Sequence, residues 1–288
     1  MVLLNICLAF IMFGVALDMK LADFKFLKTN PSKALVGLCS QLILLPILTF
    51  FLIQIFNPPL SVALGMVLIA TCPGGNMSNF FVAVAKANVA LSITMTTIVT
   101  LGATILTPLN FSIWSRFIPN VEKIGQSISI DPVAMIFIII QLILIPLIAG
   151  VLFAYKFPVF TYKIKKRVRT VSVVIFFSFI IFALIGNFEN IKTYLGFVFF
   201  IVLVHNFAAL LLGYSFSKLF GYSKFDCRAI SMETGIQNTG LGLVLIFNFF
   251  DGLGGMALIA AWYGIWDLVT GYLLALYWGR NSNNIDHK

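Results

Sequence analysis

The sequence predicts an all-α protein that crosses a membrane several times, and three observations lead to that prediction. Of the 288 residues, 60% are hydrophobic and only 10% are charged. The mean hydropathy is +1.04. A soluble domain of this length needs far more charge on its surface, so the composition indicates an integral membrane protein. The apolar residues also form long runs, and the short gaps between these runs hold the basic residues.

The apolar runs predict nine membrane-spanning helices in one domain over residues 1–288. A helix needs about 20 apolar residues to cross the hydrocarbon core of a bilayer. The first run has no basic residue before it, so we expect a first span and not a cleaved signal peptide. The predicted spans, with approximate bounds, are 2–17, 33–56, 60–85, 89–114, 132–155, 170–188, 194–217, 224–250 and 254–278. The longest polar connections between them are 18–32, 115–131 and 156–169.

The basic residues predict the orientation in the membrane. Of the 19 Lys and Arg residues, only Arg116, Lys123 and Lys192 fall on one side, and the other 16 fall on the opposite side. Basic residues concentrate in cytoplasmic loops, so we expect the N-terminus outside and the C-terminus inside the plasma (inner) membrane. The run KIKKRVR (163–169) is interpreted as a topological anchor, with binding of anionic lipid as a minor addition. The net charge of +9 therefore indicates membrane topology and not binding of nucleic acid.

The third predicted span is interrupted near its middle by TCPGGNMSNFF (71–81). Pro73 has no backbone N–H to donate, and Gly74 and Gly75 add conformational freedom. In hydrocarbon, irregular backbone survives only where protein or water satisfies its polar groups. Three polar side chains follow at once, those of Asn76, Ser78 and Asn79. We therefore expect this segment to face protein and to form part of a site.

The eighth predicted span carries a second interruption, SMETGIQNTGLGL (231–243). An acid such as Glu233 costs about 3 kcal/mol at mid-bilayer, so we expect it to face a partner. The third and eighth spans are five positions apart in chain order, and they therefore run in opposite directions. Interrupted helices in matching places of an inverted repeat indicate a transporter's binding site. The alternative is that each interruption is only a kink.

Polar residues on two neighbouring spans agree with a site at the interruptions. Four small polar residues of the fourth span recur every four positions and share one helix face, namely Ser92, Thr96, Thr100 and Thr104. The alternative interpretation is a packing stripe of small residues between helices. Gln41 lies near mid-depth in the second span, where a single hydrogen bond to a neighbouring helix would also explain it.

The chemistry of these groups favours an ion-coupled transporter. Carboxylate, hydroxyl, amide and carbonyl oxygens suit a hard cation and not zinc or copper. The half-helix that begins after Gly75 directs amide hydrogens and a positive dipole end into the same region, which favours an anion such as a carboxylate. The four cysteines have no paired spacing and the two histidines lie far apart, so we expect neither disulfides nor a transition-metal centre. No nucleophile–base pair is recognised, so we do not expect an enzyme.

Three motifs carry a resemblance to a known family. CPGGNMSN (72–79), NVALSITMTT (88–97) and ETGIQNTGL (233–241) resemble those of the bile acid:sodium symporter family. The similarity extends from MFGVALDMKLADFK (12–25) to LLALYWG (273–279). It implies a fold in which two crossed, discontinuous helices are related by an inverted repeat. Some members have ten helices, and this chain resembles those that lack the first.

The resemblance also implies two subdomains. A core subdomain, which contains the crossed helices, would move against a panel subdomain during transport. The core would comprise residues of about 33–114 and 194–278. The panel would comprise residues of about 1–17 and 132–188.

The resemblance further implies two sodium ions and assigns residues to them. One sodium site would use Ser78, Asn79, Ser92, Thr96 and Glu233. The other would use the side chains of Gln41, Glu233 and Gln237 and the backbone carbonyls of Thr234 and Ile236. Substrate would meet Asn238 and the amides near Asn76 and Met77.

The sequence departs from the family pattern near its end. Members often have Trp-His-Asn there, whereas this chain has WDL (266–268). Asp267 lies about mid-span, where the family's polar pair faces substrate, so Asp267 is added to the predicted substrate site. Two sodium ions and Glu233 leave one net positive charge, which an ionised Asp267 would cancel. A protonated Asp267 is the first expectation, with a further cation or a less anionic substrate as the alternatives.

These inferences predict a sodium-coupled symporter that imports a small organic anion by alternating access. The expected substrates are carboxylates such as keto or hydroxy acids, or a bile-acid-like solute, and a metabolite smaller than a bile acid is favoured. The expected partners are this solute and the lipid bilayer, with neither nucleic acid nor an obligatory protein partner. One alternative is a proton-coupled transporter of the same fold that uses Glu233 and Asp267. Another is a membrane sensor or channel that does not transport.

Overall fold

The computed structural model describes residues 2–17, 25–75, 77–119, 121, 132–186 and 188–283. Throughout these residues the secondary structure is helical, and the only extended pairing is one isolated bridge. The helices, in chain order, are α1 (Val2–Ala16), α2 (Lys25–Thr29), α3 (Pro31–Phe56), α4 (Leu60–Thr71), α5 (Met77–Val84), α6 (Val89–Ser115), α7 (132–156), α8 (Pro158–Gly186), α9 (Phe188–Leu219), α10 (Lys224–Gly235), α11 (Thr239–Phe249) and α12 (Gly254–Asn283).

Five helical segments of the described chain are long and apolar enough to cross a bilayer. They are Pro31–Phe56, Val89–Ser115, Val133–Lys156, Gly196–Leu219 and Gly254–Arg280. Many large apolar side chains are exposed on them, for example Phe51, Ile105 and Phe137. Exposure of so many apolar side chains is unfavourable in water but favourable in the hydrocarbon core of a bilayer. These features agree with the predicted all-helical membrane protein.

The basic run 163–169 lies inside a helix, which differs from the predicted polar connection over 156–169. Helix α8 begins at Pro158 and continues without a break through this run. Proline is favoured in the first turn of a helix, where its missing N–H is not needed. Lysine and arginine are good helix formers, so nothing in the run stops the helix. Each side chain of the run therefore lies on a defined face of α8.

Two of the long helices contain a π-helical turn within almost the same sequence. QLILLP (41–46) lies in α3 and QLILIP (141–146) lies in α7, and each proline follows the π turn closely. A proline inside a helix leaves the carbonyl four residues earlier without its donor. In α3 this carbonyl belongs to Leu42 and accepts a hydrogen bond from Nδ2 of Asn110 at 3.2 Å. The two turns differ in environment, because Gln41 is buried and Gln141 is exposed.

The two interrupted helices meet at their interruptions. The chain leaves helical geometry between α4 and α5 and again between α10 and α11. The backbone N–H of Gly75 donates to the carbonyl of Ile236 at 2.9 Å, and the N–H of Asn238 donates to the carbonyl of Pro73 at 2.8 Å. These bonds flank an antiparallel bridge between Gly74 and Gln237. The backbone N–H and C=O groups that have no helical partner at the interruptions therefore hydrogen-bond to one another, as backbone buried away from water requires.

The crossing lies between two apolar clusters. Helices α4 and α11 contribute to the larger cluster, through side chains such as Leu68 and Leu243. Helices α5 and α10 contribute to a second cluster, through side chains such as Phe81 and Ile230. Each interrupted helix thus has one half in each cluster, which holds the polar crossing at the level where the clusters meet.

The close approach of the two backbones requires glycine. A Cβ at Gly75 would lie 2.8 Å from the carbonyl oxygen of Gln237, which is shorter than van der Waals contact. A Cβ at Gly74 would lie 3.0 Å from both Nε2 of Gln41 and Oε2 of Glu233. Side chains at either position would push the crossing apart.

We predict that Gly75→Ala lowers the midpoint of thermal unfolding in detergent. The added methyl group meets backbone, which cannot rotate away, and overpacking of this kind costs about 1–3 kcal/mol. The matched control is Gly196→Ala in α9, where an added Cβ meets nothing within 4 Å. The control should unfold at or above the wild-type temperature. Equal midpoints for Gly75→Ala and wild type would show that the crossing is not tightly packed.

Candidate functional site

Glu233 is the centre of the candidate site. It lies in the last turn of α10, next to the interruption, and its side chain is fully buried. Its carboxylate accepts hydrogen bonds from the hydroxyls of Ser78 at 2.5 Å, Thr96 at 2.8 Å and Ser92. No lysine or arginine of the described chain is within ion-pair distance of it. A buried carboxylate thus has three neutral donors and no protein cation, and burial of such a charge is costly without a counter-charge.

The side chain of Asn79 joins the groups around Glu233. Its Oδ1 accepts from the hydroxyl of Ser92 at 2.8 Å, and its Nδ2 donates to the hydroxyl of Thr96 at 3.1 Å. Helix α5 supplies two of the side chains, and α6 supplies two that are one helical turn apart. The structure therefore brings all five residues predicted for the first sodium site into one cluster, here called the hydroxyl cluster. Its members are Ser78, Asn79, Ser92, Thr96 and Glu233.

The residues predicted for the second sodium site lie at the crossing and in the π turn of α3. Gln41, from the π turn of α3, is fully buried and lies beside Gly74, as Glu233 does. The hydroxyl of Thr234 is 2.9 Å from that of Ser40, which ties α10 to the same turn of α3. The carbonyl of Thr234 accepts from Nε2 of Gln237 at 2.8 Å, and that of Ile236 accepts from Gly75.

Unpaired acceptors mark this second group. Oε1 of Gln41 and Oε1 of Gln237 are buried and have no hydrogen-bond partner among the described residues. The same is true of Nε2 of Gln41. Buried polar groups are nearly always paired, so orphaned acceptors beside a carboxylate call for an explanation. Oxygen acceptors of this type are ligands for a hard cation, and this group of oxygens fits a sodium ion.

The predicted substrate residues are only partly accounted for. Asn76 lies outside the described residues. Met77 is the first residue of α5. Asn238 is the N-cap of α11, because its Oδ1 accepts a hydrogen bond from the N–H of Leu241 at 3.0 Å. Asp267 is buried in α12, where its Oδ2 accepts from the backbone N–H of Gln237 at 2.9 Å. Asp267 therefore contacts the crossing directly, which the sequence alone did not reveal.

A cavity of about 470 Å³ adjoins the crossing. It is lined by residues of α1, α5, α6, α8 and α12 and of the α10–α11 interruption. Met77, Asn238 and Asp267 line it, and so do Asn79 and Thr96 of the hydroxyl cluster. Thr100 of the same α6 face also lines it, whereas Ser92 faces Glu233. A solute in this cavity would touch residues of both predicted ion sites.

Two residues at the site were missed by the sequence analysis. Asn206 of α9 is fully buried, and its Nδ2 donates to Oδ1 of Asp267 at 2.8 Å and to the carbonyl of Gly235 at 3.0 Å. An asparagine inside an apolar span was a signal that could have found it. Arg169 of α8 lines the cavity together with Ser172. Arg169 and Ser172 are three residues apart, which places them on the same face of a helix. The sequence analysis did not use this spacing, because it assigned the basic run to a connection and not to a helix.

The cavity and the oxygen clusters do not form a metal centre of the histidine or cysteine type. Among the described residues, no group of three or more His, Cys, Asp or Glu side chains is placed to hold a metal ion. The oxygen groups at the crossing instead come mainly from hydroxyls, amides and backbone carbonyls around one carboxylate.

Comparison with known proteins identifies the family. Residues 5–194, more than half of the chain, match the family model described as "Sodium Bile acid symporter family". The similarity to individual relatives extends over nearly the whole chain. The Bacillus subtilis (strain 168) protein named "Uncharacterized sodium-dependent transporter YocS" is 32% identical over 277 residues, which are 96% of this chain and 83% of the relative.

Plant relatives show the same similarity over a smaller share of their own length. The Oryza sativa subsp. japonica protein named "Probable sodium/metabolite cotransporter BASS2, chloroplastic" is 30% identical over 276 residues, which are 90% of this chain and 64% of the relative. The Arabidopsis thaliana protein named "Probable sodium/metabolite cotransporter BASS1, chloroplastic" is 28% identical over 271 residues, which are 94% of this chain and 65% of the relative. This chain therefore belongs to the sodium bile acid symporter family, a family of sodium-dependent membrane transporters and not of enzymes.

Proposed function

We propose that this protein is a sodium-coupled symporter that imports a small organic anion across the plasma membrane by alternating access. The observation that carries this proposal is the buried Glu233 carboxylate, which is ringed by oxygen-bearing side chains at the edge of a solute-sized cavity. Sodium supplies the missing counter-charge. Solute in the cavity would touch Asn79, Thr96 and Gln237, so occupation of the ion sites and of the cavity is coupled.

Two sodium ions are proposed, with Glu233 between them. The hydroxyl cluster would hold the first ion through five oxygens. The second ion would lie between Gln41 and Gln237, whose buried Oε1 atoms have no partner among the described residues, and the carbonyls of Thr234 and Ile236. Hydroxyl protons that point at Glu233 would turn away when an ion enters, which frees their oxygens to act as ligands. Substrate would meet Met77, Asn238 and Asp267, together with Asn76.

The proposed movement takes place between two subdomains. The core would comprise residues of about 33–114 and 194–278, and the panel those of about 1–17 and 132–188. Helix α1 packs against α7 and α8, which supports a panel made of these three helices. Residues of α1 and α8 and residues of the crossing all line the cavity. A shift of the core against this panel would open the cavity to one side of the membrane and close it to the other.

The proposal includes the nine spans and the inverted repeat predicted from the sequence. The pairs α4–α5 and α10–α11 would each form one interrupted span, and the two spans would run in opposite directions. With the N-terminus outside and the C-terminus in the cytoplasm, Arg169 lies on the cytoplasmic side.

A proton-coupled transporter of the same fold is the second candidate. Glu233 and Asp267 are both buried carboxylates at the crossing, and both accept hydrogen bonds from neutral donors. Uptake driven by a pH gradient in the absence of sodium would favour this candidate over the symporter proposed above.

We predict that Thr96→Val and Glu233→Ala abolish stabilisation by sodium. Saturating sodium should raise the unfolding midpoint of the wild-type protein in detergent by roughly 5 °C relative to potassium, because a ligand at 100 times its Kd adds about 2.7 kcal/mol. In proteoliposomes, Glu233→Ala and Asn79→Ala should also lose sodium-dependent uptake. The measurement is thermal unfolding in NaCl and in KCl.

Thr94→Val is the matched control for these variants. Thr94 is also a buried threonine of α6, but its hydroxyl donates to the carbonyl of Ala90 in its own helix at 2.7 Å. This control should keep the full sodium response. A wild-type response in both Thr96→Val and Glu233→Ala would rule out the first sodium site.

We predict opposite effects of Gln41→Leu with and without sodium. Removing an amide that has no partner among the described residues should raise stability in KCl, since such a group costs about 1–3 kcal/mol. Removing a sodium ligand should reduce the added stabilisation in NaCl. Gln141→Leu is the matched control, because Gln141 occupies the same place in the other π turn but is exposed. An unchanged sodium response in Gln41→Leu would exclude Gln41 as a ligand.

A further inference from the structure

Two residues with ionisable side chains line the cavity from different helices. Among the described residues that line it, only Arg169 and Asp267 are of this kind. Arg169 belongs to α8, and Asp267 belongs to α12 and contacts the crossing. A solute in the cavity can therefore contact a guanidinium group from α8 and a carboxyl group from α12.

Asp267 occupies the donors that an incoming anion would need. Its Oδ2 accepts from the backbone N–H of Gln237, and its Oδ1 accepts from Nδ2 of Asn206. The amide of Gln237 lies in the interruption between α10 and α11, where free N–H groups would otherwise favour a solute carboxylate. Hydrogen bonds from two N–H groups stabilise the ionised form of Asp267, in contrast to the protonated form first expected from the sequence. In the ionised form the carboxylate has about four acceptor positions, so it keeps room to accept further hydrogen bonds but has none to donate.

Arg169 provides the alternative place for an anionic group. Its side chain is exposed, and no carboxylate of the described residues lies within ion-pair distance of it. The guanidinium has five donors and binds carboxylates in a bidentate manner. Ser172, one helical turn further along α8, lies beside it in the cavity wall. The hydroxyl of Ser172 is buried and has no partner among the described residues.

Most of the other side chains that line the cavity are apolar. Those of α1, α5, α6 and α12 include Leu8, Met12, Phe80, Ile93 and Leu268. A hydrocarbon segment fits this surface, and further charged groups along it would lose hydration without compensation.

We propose that the solute is a monocarboxylate with a hydrogen-bond donor at its far end, with the carboxylate bound at Arg169 and the donor at Asp267. The donor is a hydroxyl or ammonium group, because only a donor can use the free acceptor positions of Asp267. A second carboxylate at that end is repelled. This proposal rests on the transport function proposed above and specifies the substrate class of the same cavity.

The test uses the full chain in detergent and four linear acids of equal length. These are hexanoate, 6-hydroxyhexanoate, 6-aminohexanoate and adipate, each together with its four-carbon and eight-carbon homologues. Thermal unfolding is measured over a concentration series in NaCl and in KCl. In NaCl, the hydroxy and amino acids should stabilise the wild-type protein at lower concentration than the simple acid of the same length, and the dicarboxylate should be weakest.

The Arg169→Gln variant tests the carboxylate end. The apparent Kd for the hydroxy acid should rise about tenfold, as expected for the loss of one hydrogen bond to a charged group. Arg167→Gln is the matched control, since Arg167 is exposed in the same basic run but does not line the cavity. It should bind as the wild type does. Asp267→Asn tests the other end and should remove the advantage of the hydroxy acid over the simple acid.

The outcomes separate this proposal from the transport function. The stabilisation by sodium alone should persist in Arg169→Gln, which also shows that the variant is folded. If sodium stabilises the wild type but Arg169→Gln and Arg167→Gln bind the acids equally, the substrate proposal is wrong and the symporter proposal stands. The substrate proposal is equally wrong if the dicarboxylate binds best, or if no acid of the series stabilises the wild type in NaCl. Absence of any sodium response in the wild type would overturn the transport proposal itself.

Discussion

The backbone pairing at the crossing is the interaction on which the rest of the site depends. Two helices lose their regular hydrogen bonds in the interior of the protein, where an unsatisfied N–H or C=O costs several kcal/mol. The bonds from Gly75 to Ile236 and from Asn238 to Pro73 satisfy these groups mutually. Since the two backbones must touch for this pairing, the residues beside it are brought within a few ångströms whatever their positions in the chain.

The pairing explains how one carboxylate can adjoin both groups of predicted ligands. Glu233 lies in the last turn of α10, and the crossing brings it to helices α5 and α6 and to the π turn of α3. Small hydroxyl side chains of α5 and α6 donate to it, and Gln41 of the π turn lies beside Gly74, as the carboxylate does. The proposed ions would share this carboxylate, so both proposed ion sites depend on the crossing staying closed. Ion binding would then stabilise the geometry that also forms the cavity wall.

Asp267 departs from the family pattern that the sequence resembles, and it shares the cavity with Arg169. Asp267 is fixed by two donors at the crossing, and Arg169 of α8 lines the same cavity. The proposed consequence is a change in where the anionic end of a solute binds, from the half-helix termini to the wall formed by α1 and α8. Binding by α8 and α12 together would also connect the proposed panel, which contains α8, with the proposed core, which contains α12. These are the two parts that alternating access requires to move, so the distance between the two ends of the solute would depend on how far apart they are.

The sequence by itself determined the class of the protein, the places of the two interruptions and most of the residues around Glu233. These features depend on local chemistry: apolar runs of spanning length, Pro-Gly-Gly in the third span, and an acid among amides in the eighth. The family motifs added the grouping of Ser78, Asn79, Ser92 and Thr96, which lie within 19 residues of one another in the chain. Only the tertiary structure decided the partners of Asp267, the role of Asn206 and the direction of Arg169. Asn206 and Asp267 are 61 residues apart, and no local pattern specifies a contact between helices so distant in the chain. The direction of Arg169 depends on where α8 begins, and on which face α8 packs beside α1, and both are settled by packing rather than by composition.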